Sequence, residues 1–132
     1  MQIDLDYIKK ILIAFESSDK AYTNILELQN QGFDIDSEIF IFHIQILYDK
    51  NVIANEYEER GIGFSRGGNG LPYWQIVNLR LTATGHDFIV SLKNKEVWTR
   101  LQKDFKNTGL STLLDISKKL LISYLENKIG LK

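Results

Sequence analysis

The chain has 132 residues, of which 44% are hydrophobic and 25% charged, with a net charge of −1 and no cysteine. That is material for one globular domain, and it excludes a disulfide framework, a thiolate nucleophile and a cysteine-held metal. The acidic start "MQIDLDYIKK" is not a signal peptide and no apolar run is long enough to span a bilayer, so a cytoplasmic location is expected.

The near-zero net charge hides an asymmetry. Residues 1–59 carry four Lys against twelve Asp and Glu, a net of −8. Residues 60–92 carry three Arg against one Asp (+2), and residues 93–132 nine basic against four acidic groups (+5). An acidic front and a basic tail can attract each other within one molecule or between two.

In chain order, "DLDYIKKILIAFES" places Leu5, Ile8, Leu12 and Phe15 three and four residues apart, with Asp4 as N-cap, which predicts an amphipathic helix. "AYTNILELQNQGF" predicts a shorter helix that uses Ile25 and Leu28 and stops at Gly32. "DSEIFIFHIQILYDKN" has strand-forming composition but is long for a strand. Its cap at Asp36 or Ser37, and the alignment of Phe40, Ile44, Leu47 and Tyr48, predict a third helix. "NVIANEYEE" and "YWQIVNLRL" predict two strands. The segment between them, "RGIGFSRGGNGLP", holds five glycines and the only proline, and is expected to be an exposed, mobile hairpin loop.

A helix is then predicted from Thr82, another over "KEVWTRLQKDFKN" with Val97, Trp98, Leu101 and Phe105 aligned, and a last one after Gly109. In that last helix Leu113, Ile116, Leu120 and Tyr124 form one row, with Leu114, Leu121 and Leu125 beside it, a stripe too wide to be left in water. The class is α+β, mostly helical. Three helices followed by a two-stranded hairpin is the order of a winged helix-turn-helix, expected over residues 1–93, with residues 94–132 as a helical extension packing on it or on a partner.

The stretch "LRLTATGHDFI" reads as a strand-to-helix hinge. Thr82 caps the helix, Gly85 allows close approach to the strands, and Asp87 sits near the positive helix end. A catalytic His86–Asp87 pair is disfavoured, because neighbouring helical residues point about 100° apart. No nucleophile motif accompanies them, and the glycine loop is not followed by the Lys-Ser/Thr of a phosphate-binding loop. His43 and His86 are the only histidines and no spaced carboxylates join them, so neither a metal site nor a cofactor site is indicated. His43, among Ile and Phe residues, reads as a satisfied, half-buried side chain.

If the fold binds DNA, the third helix (residues 37–50) and the wing (59–72) would make the contacts, with Gln45, Arg60, Arg66 and Arg80 as the main candidates and His43 and Asn51 as further base readers. The helix carries a net charge of −1 and no Arg, which is a weak electrostatic footprint. The competing expectation is a non-enzymatic regulatory module that binds protein. Its partner would be a host or phage protein or a second copy, held through Leu114, Leu121, Tyr124 and Leu125, with no membrane and no small molecule involved.

Three stretches, "DLDYIKKILIAFES", "RLTATGHDFIVSLKNKEVWTRLQKDF" and "GLSTLLDISKKLL", resemble a family of small bacterial and phage proteins catalogued as domain of unknown function 2513. Its marks are the Leu-Thr-x-x-Gly-His-x-Phe hinge and the following Val97–Trp98, and the likeness runs from about Ile3 to Leu121. The resemblance implies a winged-helix-like fold in a phage or prophage setting, and no particular activity.

Overall fold

A computed structural model describes residues 1–57 and 61–130. Among these the fold is α+β and mainly helical, with six helices and two small antiparallel sheets. Helix α1 (Leu5–Glu16) starts at Asp4, whose carboxylate accepts the Tyr7 N–H, and buries Leu5, Ile8, Ile11, Leu12 and Phe15 along one stripe. Helix α2 (Ile25–Asn30) is capped by Asn24 and α3 (Glu38–Asp49) by Ser37. Helix formation in α3 despite its β-branched residues is a tertiary effect: Phe40, Ile41, Ile44 and Leu47 all gain full burial on one side.

The second helix is shorter than its sequence suggests. Thr23 exchanges both hydrogen bonds with Leu79, at 2.7 and 2.8 Å, so it pairs with a strand and the helix starts only after Asn24. That strand is β4 (Leu79–Leu81), which pairs with β1 (Ile53–Asn55) in the register Ile53 to Leu81 and Asn55 to Leu79.

The connection between these strands departs most from expectation. In place of one loop it contains a second hairpin, β2 (Phe64–Arg66) against β3 (Pro72–Trp74), with Phe64 opposite Trp74. "YWQIVNLRL" is therefore two strands separated by Gln75–Asn78. The hairpin is fastened to the body. Trp74 donates its indole N–H to the Ile35 carbonyl at 2.9 Å, and its ring packs edge-on against Phe40 and at a tilt on Phe64. Gly63 lets the hairpin close: its φ is +84°, and a Cβ there would lie 2.1 Å from the Gln75 carbonyl oxygen.

The strand-to-helix hinge forms with Thr82 as cap and Gly85 in close approach, as expected, but Asp87 falls beyond the first turn of the helix and not at its positive end. Thr82 accepts the Gly85 N–H at 3.0 Å and donates its hydroxyl to the Asn51 carbonyl at 2.5 Å. A Cβ on Gly85 would lie 2.1 Å from the Val52 carbonyl oxygen, so the helix can approach β1 only because this residue has no side chain. Helix α4 (Ala83–Lys93) follows, then α5 (Lys95–Asp104), capped by Asn94, and α6 (Leu110–Lys128). One apolar cluster runs from Leu5 through Phe40, Leu79 and Phe88 to Val97, Leu101, Leu110 and Leu113, so α5 and α6 share the core built by the first 93 residues.

Candidate interaction surface

Helix α3 leaves its second side open in part, with Glu38, Ile39, Gln45 and Asp49 exposed and Phe42 and Ile46 half-buried. With Phe40, Ile41, His43, Ile44 and Leu47 turned inward, the outward row is Glu38, Ile39, Phe42, Gln45, Ile46 and Asp49. Three of these are apolar and two acidic, and none is basic. A shallow groove runs between this row and the segment entering β2, bounded by Phe42, Gln45 and Ile46 on one side and Ile62 and Phe64 on the other. Tyr48 ties the two walls together, its hydroxyl accepting the Gly61 N–H at 2.7 Å.

The structure separates the residues expected to contact DNA. Gln45 is exposed at the centre of the α3 row. Arg66 does lie beside α3, but its guanidinium is 2.6 Å from the Glu38 carboxylate, donates to the Gly70 carbonyl and rests over the Phe64 ring. Arg80 is elsewhere: it lies in the middle of β4 and borders a small cleft with Lys20, Tyr22 and His86. Arg60 lies outside the described residues. Asn51 takes a left-handed turn (φ 58°) after α3, and its carbonyl serves the hinge.

His43 is not half-buried and is no base reader, because it is fully enclosed between α3 and α1. Its Nε2 accepts the Asp4 N–H at 2.8 Å, so the ring hydrogen sits on Nδ1 and points to the Ile39 carbonyl at 2.7 Å. Burial holds its pKa below the ordinary value of 6.5, against opposing pulls from the Ile39 carbonyl and the Asp4 charge. His86 and Asp87 are both exposed on α4, whereas His43 is buried on α3. Among the described residues no three His, Cys, Asp or Glu side chains are grouped to hold a metal, and no helix is long and apolar enough to cross a membrane.

The C-terminal stripe divides along its length. Leu110, Leu113 and Ser117 are buried against α4 and α5. Beyond Ser117 no described residue of α6 is fully buried. Leu114, Leu121 and Tyr124 are half-covered, while Ile122 (47%), Leu125 (46%) and Ile129 (69%) are largely open. Between α4 and α6 lies an apolar groove bordered by Val90, Leu114, Lys118, Leu121 and Ile122.

The residues missed at the level of sequence are Ile39, Phe42 and Ile46. Their signal was there, since an α3 with Phe40, Ile44 and Leu47 inward has apolar residues left over. A helix whose apolar residues exceed its buried face offers the remainder to something else.

Comparison with known proteins agrees with the resemblance seen in the hinge and the Val97–Trp98 pair. The model of a family described as "Hypothetical protein (DUF2513)" matches residues 2–111. An "Uncharacterized protein" of Haemophilus influenzae (strain ATCC 51907 / DSM 11121 / KW20 / Rd) is 28% identical over 120 residues, which cover 91% of this chain and 92% of that one. No solved structure matches. With the family's match covering most of the chain, hinge included, the chain belongs to the DUF2513 family.

Proposed function

We propose that this chain is a non-enzymatic regulatory module of winged helix-turn-helix type that binds protein through the outward face of α3, in the phage or prophage setting implied by its family resemblance. The winged-helix reading draws support from element order: α1, the extended Thr23, α2, α3, then β1 and β4 with the β2–β3 hairpin between them. One observation carries the functional reading. The face that a DNA-binding winged helix lays in the major groove is here Glu38, Ile39, Phe42, Gln45, Ile46 and Asp49. Phosphate binding needs Lys and Arg, and neither occurs in that row, while the nearby Arg66 is occupied by Glu38. An exposed Ile39 beside the half-buried Phe42 and Ile46, rimmed by the carboxylates of Glu38 and Asp49, suits a protein surface with apolar knobs and basic edges.

Two experiments on the full chain test this reading. Fluorescence anisotropy of a labelled generic duplex should show no binding at low salt. Affinity capture from host lysate should retain a protein that Ile39→Asp loses, at unchanged circular dichroism, since Ile39 is already 37% exposed. Tight low-salt DNA binding, steeply lost with salt and weakened by Arg66→Ala, would overturn the reading in favour of a DNA-binding regulator.

A further inference from the structure

We propose that His43 is a proton-operated latch: when its ring takes up a proton, residues 1–3 and the Asp4 N–H swing away from α3 and bare the Phe42 end of the outward row, while α1 stays docked. Both ring nitrogens are committed in the neutral form, Nε2 accepting the Asp4 N–H at 2.8 Å and Nδ1 donating to the Ile39 carbonyl at 2.7 Å. A proton added to Nε2 turns that acceptor into a donor, sets two N–H groups against each other and places a charge on a fully enclosed ring. What gives way is set by burial. Met1, Gln2 and Asp4 are exposed and Ile3 is half-buried, whereas Leu5, Ile8, Ile11 and Leu12 are 2% exposed or less. Rotation about the Asp4 N–Cα bond moves the segment and lets water reach Nε2. It leaves the Asp4 carboxylate on the Tyr7 N–H and the Asp4 carbonyl on the Ile8 N–H, so the helix keeps its first turn.

The surroundings set the direction. Burial lowers the ring's pKa below 6.5, against the Ile39 carbonyl and the Asp4 charge, so the latch is closed at neutral pH and opens in acid. From α1 the groups that meet the ring are the Asp4 carboxylate and Tyr7, whose ring is 5.0 Å away and whose hydroxyl burial holds above its usual value of 10.0 and therefore neutral. Phe42 shares a groove with Met1, Gln2, Ile3 and residues 107–109, which brings uncharged side chains and the Met1 α-amino group. The Phe42 ring stands edge-on to His43 at 5.0 Å and is half-buried. Freeing residues 1–3 widens that groove and adds Phe42 surface to the α3 row, so acid changes what the row offers a partner. This consequence rests on the α3 reading; the detachment itself does not.

Amide exchange followed by NMR in the intact, isotope-labelled chain tests the latch, with protection taken relative to the free-amide rate at each pH. The Asp4 amide should lose protection by about tenfold per pH unit below the ring's pKa, because one proton drives the opening. The Ile44 and Leu47 amides should stay protected over the same range, and a soluble nitroxide should begin to broaden the Phe42 ring resonances. His43→Gln, whose side-chain oxygen accepts an N–H without titrating, should keep Asp4 protected down to about pH 5. Asp4→Asn, which retains a capping side chain but not the charge that favours the proton, should move the opening to lower pH, and it decides alone if His43→Gln fails to fold. Asp4 protection that holds at every pH until the molecule unfolds, an equal loss in His43→Gln, an unmoved opening in Asp4→Asn, or loss at Ile44 and Leu47 together with Asp4 would overturn the latch. Opening at Asp4 with Phe42 still shielded would overturn its link to the α3 row. The α3 reading is untouched by each of these, since Ile39→Asp capture and the DNA titration report on it separately at neutral pH.

Discussion

His43 shows how a single ring can make the fold pH-dependent. It is enclosed in its neutral form, accepting from the Asp4 N–H at the start of α1 and donating to the Ile39 carbonyl in α3. Protonation would put a hydrogen on Nε2, facing that N–H, and remove the acceptor that holds the two helices together. Burial therefore depresses the folded-state pKa below 6.5, while the unfolded chain takes up the proton near that value. The stabilisation is complete above about pH 6.5 and is lost as pH falls from there through the lower folded pKa. Urea unfolding midpoints should accordingly drop between about pH 7.5 and pH 5.5, and His43→Gln should flatten that slope. The same slope in wild type and His43→Gln would assign the acid sensitivity to other groups.

At the scale of elements, the β2–β3 hairpin depends on one side chain. Trp74 supplies a hydrogen bond to the α2–α3 turn and ring contacts to Phe40 and Phe64, and further links to α3 are the Tyr48–Gly61 bond just before the hairpin and the exposed Arg66–Glu38 pair, a weak contributor. Trp74→Ala should destabilise the protein by about 2–4 kcal/mol, less than the cost for a fully buried aromatic. Hydrogen exchange at the backbone amides of residues 64–74 should quicken well before that of α1 or α3. Equal quickening across the molecule would mean that the hairpin and the body open as one unit. This hairpin is also the element least legible in the sequence. Its strands are three residues long and set among glycines, and what fixes them is a contact between Trp74 and Ile35, 39 positions apart. Asp4 and Thr82 were easier to read, and Ser37 was one of the two caps expected for α3, because a cap bonds a backbone N–H only a few residues away. Gln45 is exposed on α3, whereas the engagement of Arg66 by Glu38 links residues 28 apart and left no local mark. The outward apolar row of α3 lay between these cases: its residues were visible, but which face turned inward was settled by the packing of Phe40 on Trp74 and of His43 on α1.

For the whole molecule, the question is whether residues 94–132 are an addition or part of the domain. The buried cluster gives a physical answer, since Val97, Leu101, Leu110 and Leu113 are all 5% exposed or less and share it with α1 and α4. Burying a leucine contributes about 1.5–3 kcal/mol, and removing α6 would also uncover Leu92, Val97 and Leu101. Together these losses are of the same order as the whole stability of a small domain, about 5–15 kcal/mol. A chain ending at Gly109 should therefore lose its cooperative thermal transition in circular dichroism. A chain ending at Lys119 keeps Leu110, Leu113 and Ser117 and should melt cooperatively, although it lacks the open part of the α6 row. The family's match ends at residue 111, inside the first turn of α6, so on this argument the matched segment alone does not close its own core. Cooperative melting of the chain ending at Gly109 would instead make α6 a separable attachment, whose exposed row would then be its main reason for being there.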